Sequence, residues 1–451
     1  MQHHAATKVF IDNLVDLLEA DKVLGLAECD AETSRDFCSV VHQLRDNVTS
    51  HPVIDFALRT DHFISLAYKR MPSERPPSSY WRRLYTDACI LKALVRTMTA
   101  SELDEMAALE SIASLDHAIV IAGAPGDGRL EMVLDMIQWL QSSLPSRPPS
   151  ATILSRDVAL AQQNALLTSV KEVPSIAPPS LVVFQNTWSR TPFVLRAYAA
   201  DWPALNGHQW ASVQYLSSVA GPGRIVPIEV GDDYRSDDWT QSLLSWDEFL
   251  AALDPGQTAA QPRRRTLYLA QHNLLTQFPA LRDDIVVPDY VFASLTPPDF
   301  YPAYKPPTND DQLVVNAWLG PESTVSPAHT DPFFNCYVQV VGRKTVWLAP
   351  PDATQFMYPY GTPAAGTSDK SHNPAANTSS PLMSNTSRVD VFPANPQMKE
   401  ESQKQFPAFW DAVRDRALSV TLEPGDLLFF PPGWWHAMRS EDVSFSVSMW
   451  F

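Results

Sequence analysis

The apolar residues of this chain change their spacing once, and that change divides the fold. From Lys8 to about Leu144 they recur at intervals of three and four. Examples are Val9, Phe10, Leu14, Val15 and Leu18, then Leu84, Ile90, Leu91, Leu94 and Val95, then Met132, Val133, Met136 and Leu140. Side chains so spaced share one face of an α-helix, which predicts a helical domain over 1–144. From residue 181 onward the runs are short, rich in β-branched and aromatic residues, and alternate with period two: 193–196, 266–270, 313–318, 337–341, 345–348, 426–430 and 443–451. Pro, Asp and Gly interrupt them at turn-like intervals, the pattern of a sandwich or barrel. Helices followed by strands make the expected class α+β. Between the two regions, residues 145–180 carry Pro145, Pro148, Pro149, Pro174, Pro178 and Pro179 among Ser, Ala and Thr, with a weak helical pattern at 157–170, and read as a linker. A second stretch, 361–387, rich in Ser, Thr, Asn, Ala and Pro, reads as a mobile insertion between strands.

Composition excludes several function classes. With 34 basic against 51 acidic residues the net charge is −17, so a grip on a phosphate backbone is not expected, and neither is sequence-specific nucleic-acid binding. No stretch approaches the ~18–20 uninterrupted apolar residues of a membrane span, and no secretory signal opens the chain, which predicts a soluble protein of the nucleus or cytoplasm, acting as a monomer. The four cysteines show neither C-x2-C spacing nor a disulfide framework, in keeping with a reducing compartment. GAPGDGR at 123–129 lacks the order of a phosphate loop and reads as a turn between helices.

The chemistry concentrates in two segments, 316–351 and 424–438, which supply His329, Asp331 and His436. Two neutral imidazoles and one carboxylate on one face of a metal leave three positions open, the arrangement of non-haem Fe(II) oxygenases. On a strand, residues two apart point to the same side, so His329 and Asp331 can reach one ion while His436 arrives from another strand. Asn335 and Tyr337 continue that face, and the V-G-R-K turn sets Lys344 at the start of the return strand. A co-substrate such as 2-oxoglutarate chelates the metal at one end and needs a cation and hydroxyl donors at the other, which Lys344, Tyr268 and Ser326 supply. The charges of Fe(II), Asp331, 2-oxoglutarate and Lys344 cancel, a balance that a buried site tolerates. Along the last strand Ser444, Ser446, Ser448 and Trp450 fall on one face, and the small serines leave room for a co-substrate.

The order N-x-W-x-G, S-P-x-H-x-D, N, V-x-G-R-K, P-G-D, P-x-x-W-x-H and S-F-S-V-S resembles the Jumonji-C branch of the cupin superfamily. The likeness continues upstream through VPIEVGDDYRSDDW at 226–239, YLAQH at 268–272 and YWRRLYTDACILKAL at 80–94, and so covers nearly the whole chain. The resemblance implies a double-stranded β-helix, or jelly roll, with flanking helices over 181–451. It implies that His329, Asp331 and His436 bind Fe(II), and that Tyr268, Ser326, Asn335, Lys344 and Trp450 hold 2-oxoglutarate. It further implies oxidation by O2 coupled to decarboxylation of 2-oxoglutarate to succinate. Phe333 and Phe334 stand where the family carries polar side chains, which predicts a more apolar pocket floor.

Substrate choice rests on the pocket. Glu229 is an acidic residue in a short apolar strand, where an unpaired carboxylate is costly. It reads as a receptor for a guanidinium, with Tyr234 and Trp239 as aromatic walls. The expected activity is therefore hydroxylation of an arginine side chain in a protein or peptide substrate. N-methyl-lysine demethylation is the alternative, and a catalytically inert cupin that only binds partners is the reading of a different class.

Overall fold

The computed structural model describes residues 2–23, 30–46, 53–72, 79–99, 103–145, 152–154, 168–236, 238–253, 265–360 and 383–451. They form two compact units: one of residues 1–150, 217–227 and 243–249, the other of 151–216, 228–242 and 250–451. The 361–382 part of the expected insertion, and all but the end of the weak helical pattern at 157–170, lie outside the described residues.

The first unit is built on helices Gln2–Val23, Ala31–Asp46, Val53–Arg70, Ser79–Thr99, Glu105–His117 and Arg129–Gln141. Ala88, Cys89, Ile90 and Leu91 are buried in succession, so the helix 79–99 is enclosed on every side and forms the axis of that core. The glycine-rich segment does turn between helices: Gly123, Gly126 and Gly128 all take positive φ. Arg129, which follows it, is buried against Asp87 at 2.8 Å and Asp21 at 2.6 Å.

The strands lie in the second unit, apart from residues 225–227 and 243–245. A five-stranded sheet uses β1 (Lys171–Glu172), β7 (Val325–Thr330), β9 (Lys344–Ala349), β10 (Leu418–Leu422) and β12 (Trp435–Ser440), in the order β1-β10-β9-β12-β7. An eight-stranded sheet uses β2 (Phe193–Leu195), β3 (Ile225–Val230), β4 (Thr240–Ser245), β5 (Leu267–His272), β6 (Val314–Gly320), β8 (Asn335–Val341), β11 (Leu427–Phe430) and β13 (Ser444–Trp450). Its order is β2-β11-β8-β13-β6-β5-β3-β4. From β6 to β13 the chain passes from sheet to sheet at every step except β9 to β10, which is the winding of a jelly roll. Val346, Leu348, Met438, Tyr337, Leu428 and Phe430 fill the space between the sheets.

Three local expectations change. Residues 171–176, placed in the proline-rich linker, bond to both sheets: Val173 donates to Ser419 O of β10 at 3.0 Å and Ile176 to Val194 O of β2 at 3.0 Å. Proline lacks only its own N–H, so a proline-rich stretch can serve as an edge strand. Residues 383–387, expected to belong to a mobile insertion, are sewn to β7, with Thr330 N donating to Asn385 O at 3.0 Å and Ser387 N to Ala328 O at 2.7 Å. Lys344 opens a strand as expected, but β9 enters the sheet opposite β8 instead of returning beside it. Gly342 permits that crossing, having φ +64° and a position where a Cβ would lie 2.1 Å from Val443 O.

Candidate functional site

His329 near the end of β7 and His436 at the start of β12 are directly paired across the sheet, with ring centroids 4.2 Å apart. The register shifts between His436 and Met438, which faces Ser326. This bulge turns both Ser326 and His329 inward although their parities differ. Asp331 is not on the strand at all. It lies just beyond Thr330, where its carbonyl accepts from Gly433 N at 2.8 Å and ties the loop to the segment preceding His436. The carboxylate lies 3.9 Å from His329 Nε2 and 3.4 Å from His436 Nε2, and the three donor atoms fall within 4.8 Å of one another, a separation that one metal ion can bridge.

The imidazoles are prepared for that role. His329 Nδ1 lies 2.7 Å from Pro327 O, and His436 Nδ1 lies 3.1 Å from Trp434 O. A carbonyl only accepts, so each Nδ1 carries the hydrogen and each Nε2 keeps its lone pair for the centre of the site. Burial first, then the neighbouring His436, pulls the pKa of His329 down to about 4, leaving it neutral at physiological pH.

Lys344 is 1% exposed, and among the described residues no carboxylate accompanies it. Its Nζ reaches Tyr268 Oη at 3.4 Å and stands 5.6 and 5.8 Å from the ring centroids of Tyr268 and Tyr337. Burial pulls its pKa down to about 7. A Cβ on Gly320 would meet the Tyr268 ring at 2.6 Å, so glycine is required there for the tyrosine to take its place. Ser440 faces Lys344 directly across the sheet.

Around this cation and the metal candidates, Asn316 Nδ2, Asn335 Oδ1, Ser440 Oγ and Trp450 Nε1 are buried without a partner among the described residues. Buried polar atoms are nearly always paired, so such a group marks a place for a ligand. An unbalanced buried cation beside the unpartnered donors of Asn316, Ser440 and Trp450 fits a dicarboxylate, and three convergent N and O ligand atoms fit a divalent metal. Tyr268, Ser326, Asn335, Lys344 and Trp450 are thus all brought to the interior. The sequence offers a signal only for Asn316, a polar residue in the otherwise apolar strand β6; Ser440 ends a strand that also carries His436 and Arg439.

Of the three candidate substrate residues, Trp239 lies against Glu229, its Nε1 donating to Glu229 Oε2 at 3.3 Å. Burial raises the pKa of Glu229, with that hydrogen bond opposing. Glu229 pairs with Tyr268 across β3 and β5. Tyr234 sits instead beside Thr386 and within electrostatic reach of Asp331, its pKa pushed up to about 12, chiefly by burial. Of the two phenylalanines expected on the pocket floor, Phe333 stacks on Trp450 at 5.5 Å, whereas Phe334 turns away to pack with Tyr304, Phe429 and Phe451.

A family model described as a cupin-like domain matches residues 183–451. Lysine-specific demethylase 8 of Danio rerio is 31% identical over 379 residues, covering 82% of this chain and 81% of that protein. Jumonji C domain-containing protein 5 of Drosophila melanogaster is 31% identical over 375 residues, covering 82% of this chain and 80% of its own length. JmjC domain-containing protein D of Dictyostelium discoideum is 32% identical over 289 residues, or 63% of this chain and 58% of that one. A likeness over 82% of the chain is longer than the barrel alone, and with the jelly-roll winding it means that the chain belongs to the JmjC branch of the cupin superfamily, a family of Fe(II)- and 2-oxoglutarate-dependent oxygenases.

Proposed function

We propose that the barrel holds Fe(II) through His329, Asp331 and His436 and 2-oxoglutarate through Lys344, Tyr268, Ser326, Asn335 and Trp450, and that it oxidises a cationic side chain of a protein substrate. Bound there, the pair supplies O2-dependent oxidation of a C–H bond coupled to decarboxylation of the co-substrate to succinate. The observation that carries this reading is Lys344, a buried cation for which the described residues provide no anion. Lys344 and Tyr268 orient the far carboxylate, and the two imidazoles keep their Nε2 atoms free because their Nδ1 hydrogens are already engaged. Retention of the whole donor set argues against an inert binding module.

N-methyl-lysine is the substrate favoured by three of the relatives, which are named lysine-specific demethylases. A second reading, arginine hydroxylation, is favoured by Glu229, a half-buried carboxylate whose partner is the flat Trp239 ring. Mass spectrometry separates them. Peptides with methylated lysine or with arginine are incubated with the chain, Fe(II), ascorbate and 2-oxoglutarate. Loss of a methyl group with formaldehyde supports demethylation, and gain of one oxygen on arginine supports the second reading. Succinate formation without change in either peptide refutes both substrate assignments.

The lowered pKa of Lys344 has a measurable consequence. Folding releases a proton from this lysine when the pH lies between the folded value, about 7, and the ordinary 10.5, and a dianion must restore the charge on binding. Binding of 2-oxoglutarate at pH 8 is therefore expected to take up a proton, and affinity to fall as pH rises above 7. Calorimetry in two buffers of different ionisation enthalpy checks this; uptake unchanged in Lys344→Met refutes the assignment to that side chain.

A further inference from the structure

We propose that Asn316 is a further positioning residue for 2-oxoglutarate, donating a hydrogen bond from Nδ2 to an oxygen of the co-substrate; the inference rests on the 2-oxoglutarate reading above. In β6, Asn316 faces Ser448 of β13, and Ser448 faces Tyr337 of β8, so the three form one row across the sheet. Directly opposed residues in adjacent strands share a face. That face is the barrel interior: Trp318, two residues on, donates to Ser448 Oγ at 2.9 Å and its ring lies 6.2 Å from that of Tyr268. Tyr337 in the same row lies under the Lys344 ammonium, 5.8 Å from its ring centroid. The next row pairs Asn335 with Trp450, each holding a buried atom without a partner.

Asn316 is itself 5% exposed, and its Nδ2 has no acceptor among the described residues. The chemistry of the missing partner is narrow. An amide N–H only donates, so it serves neither a metal ion nor the ammonium or guanidinium head of a substrate, which are donors too. The dicarboxylate is the component of the reaction that brings acceptor oxygens to this face.

Titrating 2-oxoglutarate into the full chain loaded with Mn(II), without O2 or peptide, reads binding separately from turnover. Asn316→Leu keeps the volume and removes the donor. It is expected to weaken 2-oxoglutarate binding about ten- to a hundred-fold, the range for a hydrogen bond to a charged group, while Mn(II) affinity is unchanged. Asn316→Asp, nearly isosteric but negative, is expected to weaken it further. Should the leucine variant melt below the wild type, Asn316→Ser, which lacks the amide without adding bulk, is titrated in its place. Wild-type affinity for 2-oxoglutarate in a folded variant without the amide overturns the proposal. A wild-type chain that takes up no 2-oxoglutarate overturns the reading beneath it instead.

Discussion

Replacing Asp331 by alanine is expected to abolish both tight divalent-metal binding and succinate formation while leaving the fold intact. The carboxylate is the only anion of the three convergent groups, and it lies 3.4 and 3.9 Å from the two imidazole Nε2 atoms. Without it, two neutral rings remain to balance a double positive charge. Loss of a partner outside the coordination sphere already reduces metal affinity or activity about 10–100-fold, so loss of a direct ligand is expected to exceed that range. Asp331 lies outside β7, its carbonyl bond to Gly433 N is made by the backbone, and its carboxylate faces the two imidazoles, so alanine is not expected to unfold the barrel. Mn(II) titration and succinate assays on Asp331→Ala and His436→Ala check the prediction, with circular dichroism as the control for folding. Retained stoichiometric metal binding in either variant would show that the ion sits elsewhere.

The second large effect concerns the end of the chain. A protein ending at Val443 is expected to yield no soluble folded barrel, because β13 is the inner strand between β8 and β6 and not an edge. Its removal leaves two strands without their shared partner, exposing two rows of backbone N–H and C=O groups inside a sheet. It also removes Phe445, Val447, Met449 and Phe451, all buried on one face, and Ser446, whose hydroxyl donates to Gln339 at 2.7 Å on the other. Deleting a buried Phe or Met side chain commonly costs about 2–5 kcal/mol, and losing several together exceeds the ~5–15 kcal/mol that holds a domain folded. Soluble yield and thermal melting check this; normal expression with a cooperative transition would contradict the central placement of β13.

Much of the site was legible in one dimension. Apolar spacing separates helices from strands because a side chain's exposure repeats with the local geometry, 3.6 residues in one case and two in the other. The spacing of His329, Asp331 and His436 carried the metal hypothesis, and a lysine after a tight turn carried the co-substrate hypothesis. The reason first offered for the H-x-D spacing was nevertheless incomplete. His329 and Asp331 meet because a strand ends between them and a loop is pinned to Gly433, not because both lie on one strand. Ser326 likewise joins His329 only through a bulge that parity could not reveal.

Residue types and their periodicity alone determined the class, the helical and barrel regions and the net charge that disfavours nucleic acid, since each depends on composition or on neighbours within a few positions. Which sheet β9 enters, that residues 171–176 serve as strand and not tether, that Trp239 is bonded to Glu229, and that Asn316 and Ser440 face the cavity unpartnered were decided only by tertiary structure. Those facts depend on what lies across a sheet or a barrel, brought from tens or hundreds of residues away, and local sequence carries no record of that neighbour.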